Sequence, residues 1–176
     1  MKTILKELEF AWWRRSSVVR RHGSGDLQVF ESANRTSEGT DQRWFGPTLT
    51  QHVGRIEARL CRDFGLSRSL LEPWQAVRYH TGEHFGLHHD AGLFASETGG
   101  ERVLTFVLCL KAPREGGATY FPDLDRLVDT RAGRLIVWNN LLPDGSVDPT
   151  KRHAATPAHR GRKVILTTWS RQRPIR

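Results

Sequence analysis

A mainly β fold with flanking α-helices, built as a sandwich or barrel of antiparallel strands, is what this sequence predicts. Three observations carry the expectation. Short segments rich in Val, Ile, Leu, Thr and aromatics recur after Pro73, at residues 74–79, 102–110, 134–138 and 163–169. Turns bearing Gly or Pro, such as REGG and TRAG, divide them. One segment, VLTFVLCL, is apolar on both faces, as in a central strand covered from both sides.

Taken in order, the opening residues Ile4, Leu5, Leu8, Ala11 and Trp12 follow an approximate 3.6-residue period that predicts a short helix, ending before Arg14. A stretch rich in Gly, Ser, Asn and Thr, from His22 to Asp41, surrounds the strand-like Leu27-Gln28-Val29-Phe30. From Thr50, Val53, Ile56, Leu60 and Phe64 lie on one helical stripe, with Thr50 as the candidate N-cap and Gly65 as the stop. No repeat or low-complexity linker divides the chain. The expected organisation is one domain over 1–176, with helical and loop support in 1–72 and a β core in 73–174.

The 176 residues carry 27 Lys and Arg against 19 Asp and Glu, a net charge of +8. The excess gathers at Arg14, Arg15, Arg20 and Arg21 and again from Arg160 to Arg176. Such a field draws in anions. No zinc-finger spacing, helix-turn-helix pair or basic-aromatic repeat accompanies it, so a solvated basic face is preferred to a nucleic-acid surface. The apolar runs are too short to span a bilayer, and MKTILKELEF lacks the apolar segment of a secretory signal, so the expected location is cytoplasmic. Cys61 and Cys109 sit in unlike patterns and read as two thiols instead of a bridge.

The chemistry concentrates in FGLHHDAG. In an extended backbone His88 and Asp90 point to the same face, about 6.6 Å apart, while His89 points away. A third ligand must come from elsewhere, and His153 in TKRHAATP, just before the last strand, is the best candidate. Two imidazoles and one carboxylate form the facial set associated with non-haem Fe(II), which leaves coordination positions open for substrates. The H-x-D pattern alone is weak. His80, His84 and His89 compete as ligands, but only His88 has a carboxylate two residues later.

Lys163 adds weight. Strand alternation groups it with Ile165, Thr167 and Trp169, so one face begins with a cation and continues apolar. A lysine at a strand end commonly snorkels to water. An inward ammonium would instead receive the distal carboxylate of a dicarboxylic acid. Arg78, Arg102 and Arg162 are the other cations placed to do so.

These elements occur in a recognisable order: RTS at 35–37, E-x-x-Q-x-V-R-Y at 72–79, F-x-x-H-x-D at 85–90, GGATYFP at 116–122, AGRLIVW at 132–138, and H-x-x-x-P-x-x-x-G-x-K at 153–163 followed by Trp169. In that order the sequence resembles the prolyl 4-hydroxylase-like branch of the 2-oxoglutarate/Fe(II) oxygenases, from about Arg35 onward. The resemblance implies a double-stranded β-helix, the cupin-like jelly roll. It implies Fe(II) on His88, Asp90 and His153, and 2-oxoglutarate anchored by Lys163 and Tyr79. It also implies O2 as cosubstrate, ascorbate as a stimulant, and hydroxylation of a prolyl C–H bond in a peptide or protein. Ala118 and Ala155 depart from the Glu and Gly frequent at those places in relatives, which bears on substrate and loop geometry more than on iron.

Arg35, His84, Thr119, Trp138 and Trp169 are the candidate substrate or pocket residues, and the Arg-rich N-terminal segment is a candidate cover for the pocket. A free amino acid or other small metabolite is the alternative acceptor. A metal hydrolase, which would have little use for an inward Lys163, and a noncatalytic metal- or anion-binding domain are the rival classes. Oligomeric state is not legible from these residues.

Overall fold

The apolar stripes of the two predicted helices meet on one face of an antiparallel sheet. In the computed structural model, which describes residues 1–21 and 25–176, helix α1 spans Lys2–Glu9 and buries Ile4 and Leu8. Helix α2 spans Pro47–Phe64, four residues longer at its start than an N-cap at Thr50 would make it. Gly46 is its N-cap and Pro47 opens the first turn, where a missing N–H costs nothing. Thr50 lies inside the helix, its hydroxyl donating to the Phe45 carbonyl. Gly65, at φ +63°, ends the helix as expected. Leu49, Val53, Glu57 and Leu60 form the buried stripe, so a glutamate takes a place the periodicity did not assign to it, while Phe64 stays largely exposed.

The described residues also form fourteen strands. The first seven are β1 (Arg14–Arg15), β2 (Ser17–Arg21), β3 (Leu27–Glu31), β4 (Glu38–Asp41), β5 (Gln75–Tyr79), β6 (Phe85–His88) and β7 (Arg102–Lys111). The rest are β8 (Glu115–Gly116), β9 (Thr119–Phe121), β10 (Arg126–Val128), β11 (Leu135–Asn139), β12 (His153–Ala155), β13 (Ala158–Arg160) and β14 (Lys163–Arg171). Residues 22–24, at the start of the Gly/Ser-rich stretch that was expected to be loop, lie outside the described residues.

Every pairing between two of these strands is antiparallel. Six strands form one sheet in the order β1-β4-β5-β14-β7-β11 and four form another, β10-β9-β12-β6, beside the two-stranded pairs β13-β8 and β2-β3. The doubly apolar VLTFVLCL is β7, between β14 and β11 in the larger sheet. On β14, Val164 and Leu166 join the α1 and α2 core with Trp74, Ala76, Phe106 and Leu110, whereas Ile165 packs with Val77 and Tyr79 on the opposite face.

The expected double-stranded β-helix, or jelly roll, is not what these strands build. No sheet closes on itself: β1 and β11 remain edges of one sheet, β10 and β6 of the other. Several rim strands are only two to four residues long, and a β-bulge interrupts the β12–β6 register, so the ladders end before they can join. The architecture is a mixed α/β fold with several antiparallel sheets. Cys61 and Cys109 are free thiols. Among the described residues no helix is long and apolar enough to cross a membrane.

Candidate metal centre

Strand β6 delivers His88 at its C-terminal end, and the chain then bends so that Asp90 falls just past the strand. His153 opens β12 directly opposite His88 in the antiparallel ladder. Cross-strand neighbours on one face are close enough for their side chains to meet. His88 Nε2 lies 3.7 Å from Asp90 Oδ1, and His153 Nε2 lies 3.7 Å from Asp90 Oδ2. One ligand atom from each of the three residues lies within 4.8 Å of the others. The competing His80, His84 and His89 take no part in this cluster.

The imidazoles are oriented from behind. Nδ1 of His88 is 2.8 Å from the Gly86 carbonyl, and Nδ1 of His153 is 2.9 Å from the Lys151 carbonyl. A carbonyl only accepts, so each Nδ1 carries the proton and each Nε2 turns its lone pair to the centre. Asp90 is fixed likewise: Thr105 donates to its Oδ2 at 2.7 Å, and Asn140 donates to the Thr105 hydroxyl at 2.8 Å. The sequence reading missed both residues. The available signal was Thr105 itself, a hydroxyl set within the apolar VLTFVLCL.

Burial sets the protonation. It pushes the His88 imidazolium down, and nearby His153 adds to the effect, leaving a pKa of about 3. Burial alone would raise the Asp90 carboxyl, but His153, His88, Arg102 and the Thr105 hydrogen bond outweigh it and hold the pKa at about 2. At neutral pH the cluster therefore offers a neutral His88 and an ionised Asp90, the forms that bind metal. Phe85 stacks on His88 at 3.6 Å, and Trp138 and Phe121 pack around His153 at 4.7 and 5.5 Å.

Lys163 begins β14 opposite Tyr79 in the ladder with β5. It is 3% exposed, and its ammonium donates to the Gly117 carbonyl at 2.8 Å and lies 5.3 Å from the Tyr79 ring centre. No described carboxylate reaches ion-pair distance of it, and burial lowers its pKa to about 8. The alternative cations Arg78 and Arg102 are already committed to Glu38 and Glu72. The Tyr79 phenol is buried, pushed up by desolvation and hydrogen-bonded with Ser37.

The remaining candidates divide. Arg35 and Trp169 line a cleft of about 850 Å³ together with His88 and Asp90. Thr119 lies with Lys163 beside a second, much smaller cavity. Trp138 walls the metal centre, and the indole N–H groups of Trp138 and Trp169 are buried without a partner. His84 is tied to Thr36 instead and does not line the cleft.

The donors suit the groups their chemistry suggests. Two unprotonated Nε2 atoms and one carboxylate, each braced from behind, fit a divalent iron. A buried ammonium whose one hydrogen bond goes to a neutral carbonyl keeps two N–H donors for an incoming carboxylate.

Comparison with known proteins agrees. The family described as the 2OG-Fe(II) oxygenase superfamily matches residues 74–171. A putative prolyl 4-hydroxylase of Acanthamoeba polyphaga mimivirus is 29% identical over 156 residues, covering 84% of this chain and 64% of that protein. Human prolyl 4-hydroxylase subunit alpha-1 is 31% identical over 176 residues, 97% of this chain but 32% of the human one. The chain thus spans less than two thirds of these curated relatives. Among solved structures, the viral collagen prolyl hydroxylase of Paramecium Bursaria Chlorella virus-1, in its 2OG complex, superposes with a TM-score of 0.65 at 26% identity, covering 78% of this chain and 79% of that one. A Pseudomonas putida prolyl-4-hydroxylase shares the fold, with a TM-score of 0.55 at 18% identity. By the match across its β core, the chain belongs to the 2OG-Fe(II) oxygenase superfamily.

Proposed function

We propose that this protein is an Fe(II)- and 2-oxoglutarate-dependent oxygenase that hydroxylates a C–H bond, with a prolyl residue of a peptide or protein as the acceptor. The observation that carries the reading is the convergence of His88, Asp90 and His153 in a fold where an inward-facing Lys163 has no counter-ion among the described residues. In this reading the three side chains hold iron. Lys163, with Tyr79 beside it, receives the distal carboxylate of 2-oxoglutarate. Iron with 2-oxoglutarate supplies the oxygen-activating chemistry when bound.

The chain's own part is placement. Gly86 and Lys151 carbonyls hold the imidazole tautomers, Thr105 and Asn140 hold the carboxylate, and Phe85, Phe121 and Trp138 pack against the two imidazole rings. Arg35 and Trp169 stand in the cleft through which an acceptor would reach the centre. The prolyl acceptor is supported by what the similar proteins are called. The test is succinate release from 2-oxoglutarate with Fe(II), O2, ascorbate and prolyl peptides. Wild type should release it, and His88→Ala, Asp90→Ala and His153→Ala should lose metal binding and turnover together. Full iron-dependent turnover in any of the three would refute the ligand assignment.

A further inference from the structure

The cleft beside the metal centre has a charge pattern that the oxygen chemistry does not use. Six arginines line it, and three are neutralised: Arg15 by Glu31, Arg43 by Asp41 and Arg102 by Glu72. Arg14, Arg20 and Arg35 have no carboxylate at ion-pair distance among the described residues. Arg35 is the innermost. Among the described residues its guanidinium donates only to the Ser37 hydroxyl and the Ser17 carbonyl, and burial depresses its pKa. It lies 4.6 Å over the Phe85 ring that stacks on His88. A partly desolvated guanidinium with neutral partners favours an incoming anion.

Each of these guanidiniums covers an aromatic face: Arg14 lies over Trp12 and Trp44, Arg20 over Phe30, and Arg35 over Phe85. An unpaired base would meet a guanidinium on one face of each of these rings, while guanidinium edges remain for carboxylates. The lining strands β1, β2 and β3 each have a single pairing neighbour, so each keeps one backbone edge on which an extended chain can hydrogen-bond.

We infer that the acceptor is an extended acidic peptide, with carboxylates near the reacting residue seated on Arg14, Arg20 and Arg35. This rests on the oxygenase reading and narrows its substrate class. The test measures fluorescence anisotropy of the full chain with a labelled prolyl peptide flanked by Asp, the same peptide flanked by Lys, and a single-stranded oligothymidylate. The Asp peptide should bind about tenfold or more tightly than the Lys peptide at low salt, with the preference shrinking as ionic strength rises.

The double variant Arg14→Glu, Arg20→Glu should abolish the preference, and Arg14→Lys, Arg20→Lys should retain most of it. The double variant Arg55→Glu, Arg59→Glu, an equal charge change at exposed positions of α2, should leave it intact. Equal affinities for the two peptides, equal loss in the α2 double variant, or tighter binding of the oligonucleotide would each overturn the inference. Succinate release is read separately. Normal release with no acidic preference refutes the inference alone, whereas no release under any condition refutes the oxygenase reading on which it rests, whatever the peptide preference.

Discussion

Thr105 and Asp90 are joined by a buried hydrogen bond of 2.7 Å that links an interior strand of the larger sheet to a ligand beyond the edge strand of the smaller one. Through it, and through Asn140 behind it, the six-stranded sheet sets the angle at which the carboxylate meets the two imidazoles. Replacing Thr105 with Val keeps the shape but leaves Asp90 Oδ2 and the Asn140 amide unpaired. Metal affinity should fall about 10–100-fold, the usual effect of losing such a support. Anaerobic Fe(II) titration reads this directly, and an unchanged affinity would show that Asp90 is held by other means.

Lys163 should trade stability for binding. Its pKa in the fold, about 8, lies below the ordinary 10.5, so the buried charge opposes folding. The opposition is complete below pH 8 and fades as pH rises from 8 to 10.5, over which the ligand-free protein gains stability from this group. Lys163→Met should raise stability at pH 7 by on the order of 3 kcal/mol at most, and should weaken 2-oxoglutarate binding about tenfold or more. In wild type, affinity for 2-oxoglutarate should decline as pH climbs through 8. Paired denaturation and binding curves across pH 7–10.5 check both slopes, which the Met variant should lose.

Gly117 offers the contrasting case. Its φ of +72° is left-handed, an added Cβ would lie 2.8 Å from Pro113 Cγ, and its carbonyl accepts from both Lys163 and Thr130. Gly117→Ala should cost about 1–2 kcal/mol of stability and move the carbonyl that holds the ammonium. Stability and 2-oxoglutarate affinity should fall together here, whereas Lys163→Met moves them apart.

Glu57 has no place in the chemistry but should dominate stability. It is 1% exposed and receives Trp74 Nε1 and Arg176 at 2.9 Å each, together with Arg68. Glu57→Ala leaves the buried indole N–H without an acceptor and should cost about 3–5 kcal/mol. Arg176→Ala, at the half-exposed end of the network, should cost less than about 1 kcal/mol. Urea unfolding of the two variants compares them, and equal losses would mean that the network acts as a surface pair.

Local covalent geometry accounts for what could be read from the chain. A two-residue spacing puts His88, the last residue of β6, and Asp90, in the bend just past it, within reach of one ion, alternation turns Lys163 inward on β14, and a left-handed glycine stops α2 at residue 65. Residue identity was enough because each of these depends on neighbours a few positions away. Long-range association decided the rest. Periodicity records which face of a strand is apolar but not which edges will pair, so the expected closed barrel gave way to open sheets. In the same way, the bonds from Thr105 to Asp90, the burial of Glu57 and the three unpaired guanidiniums around one cleft arise only when distant segments fold against each other, because hydrogen bonding and desolvation are properties of the environment and not of the residue.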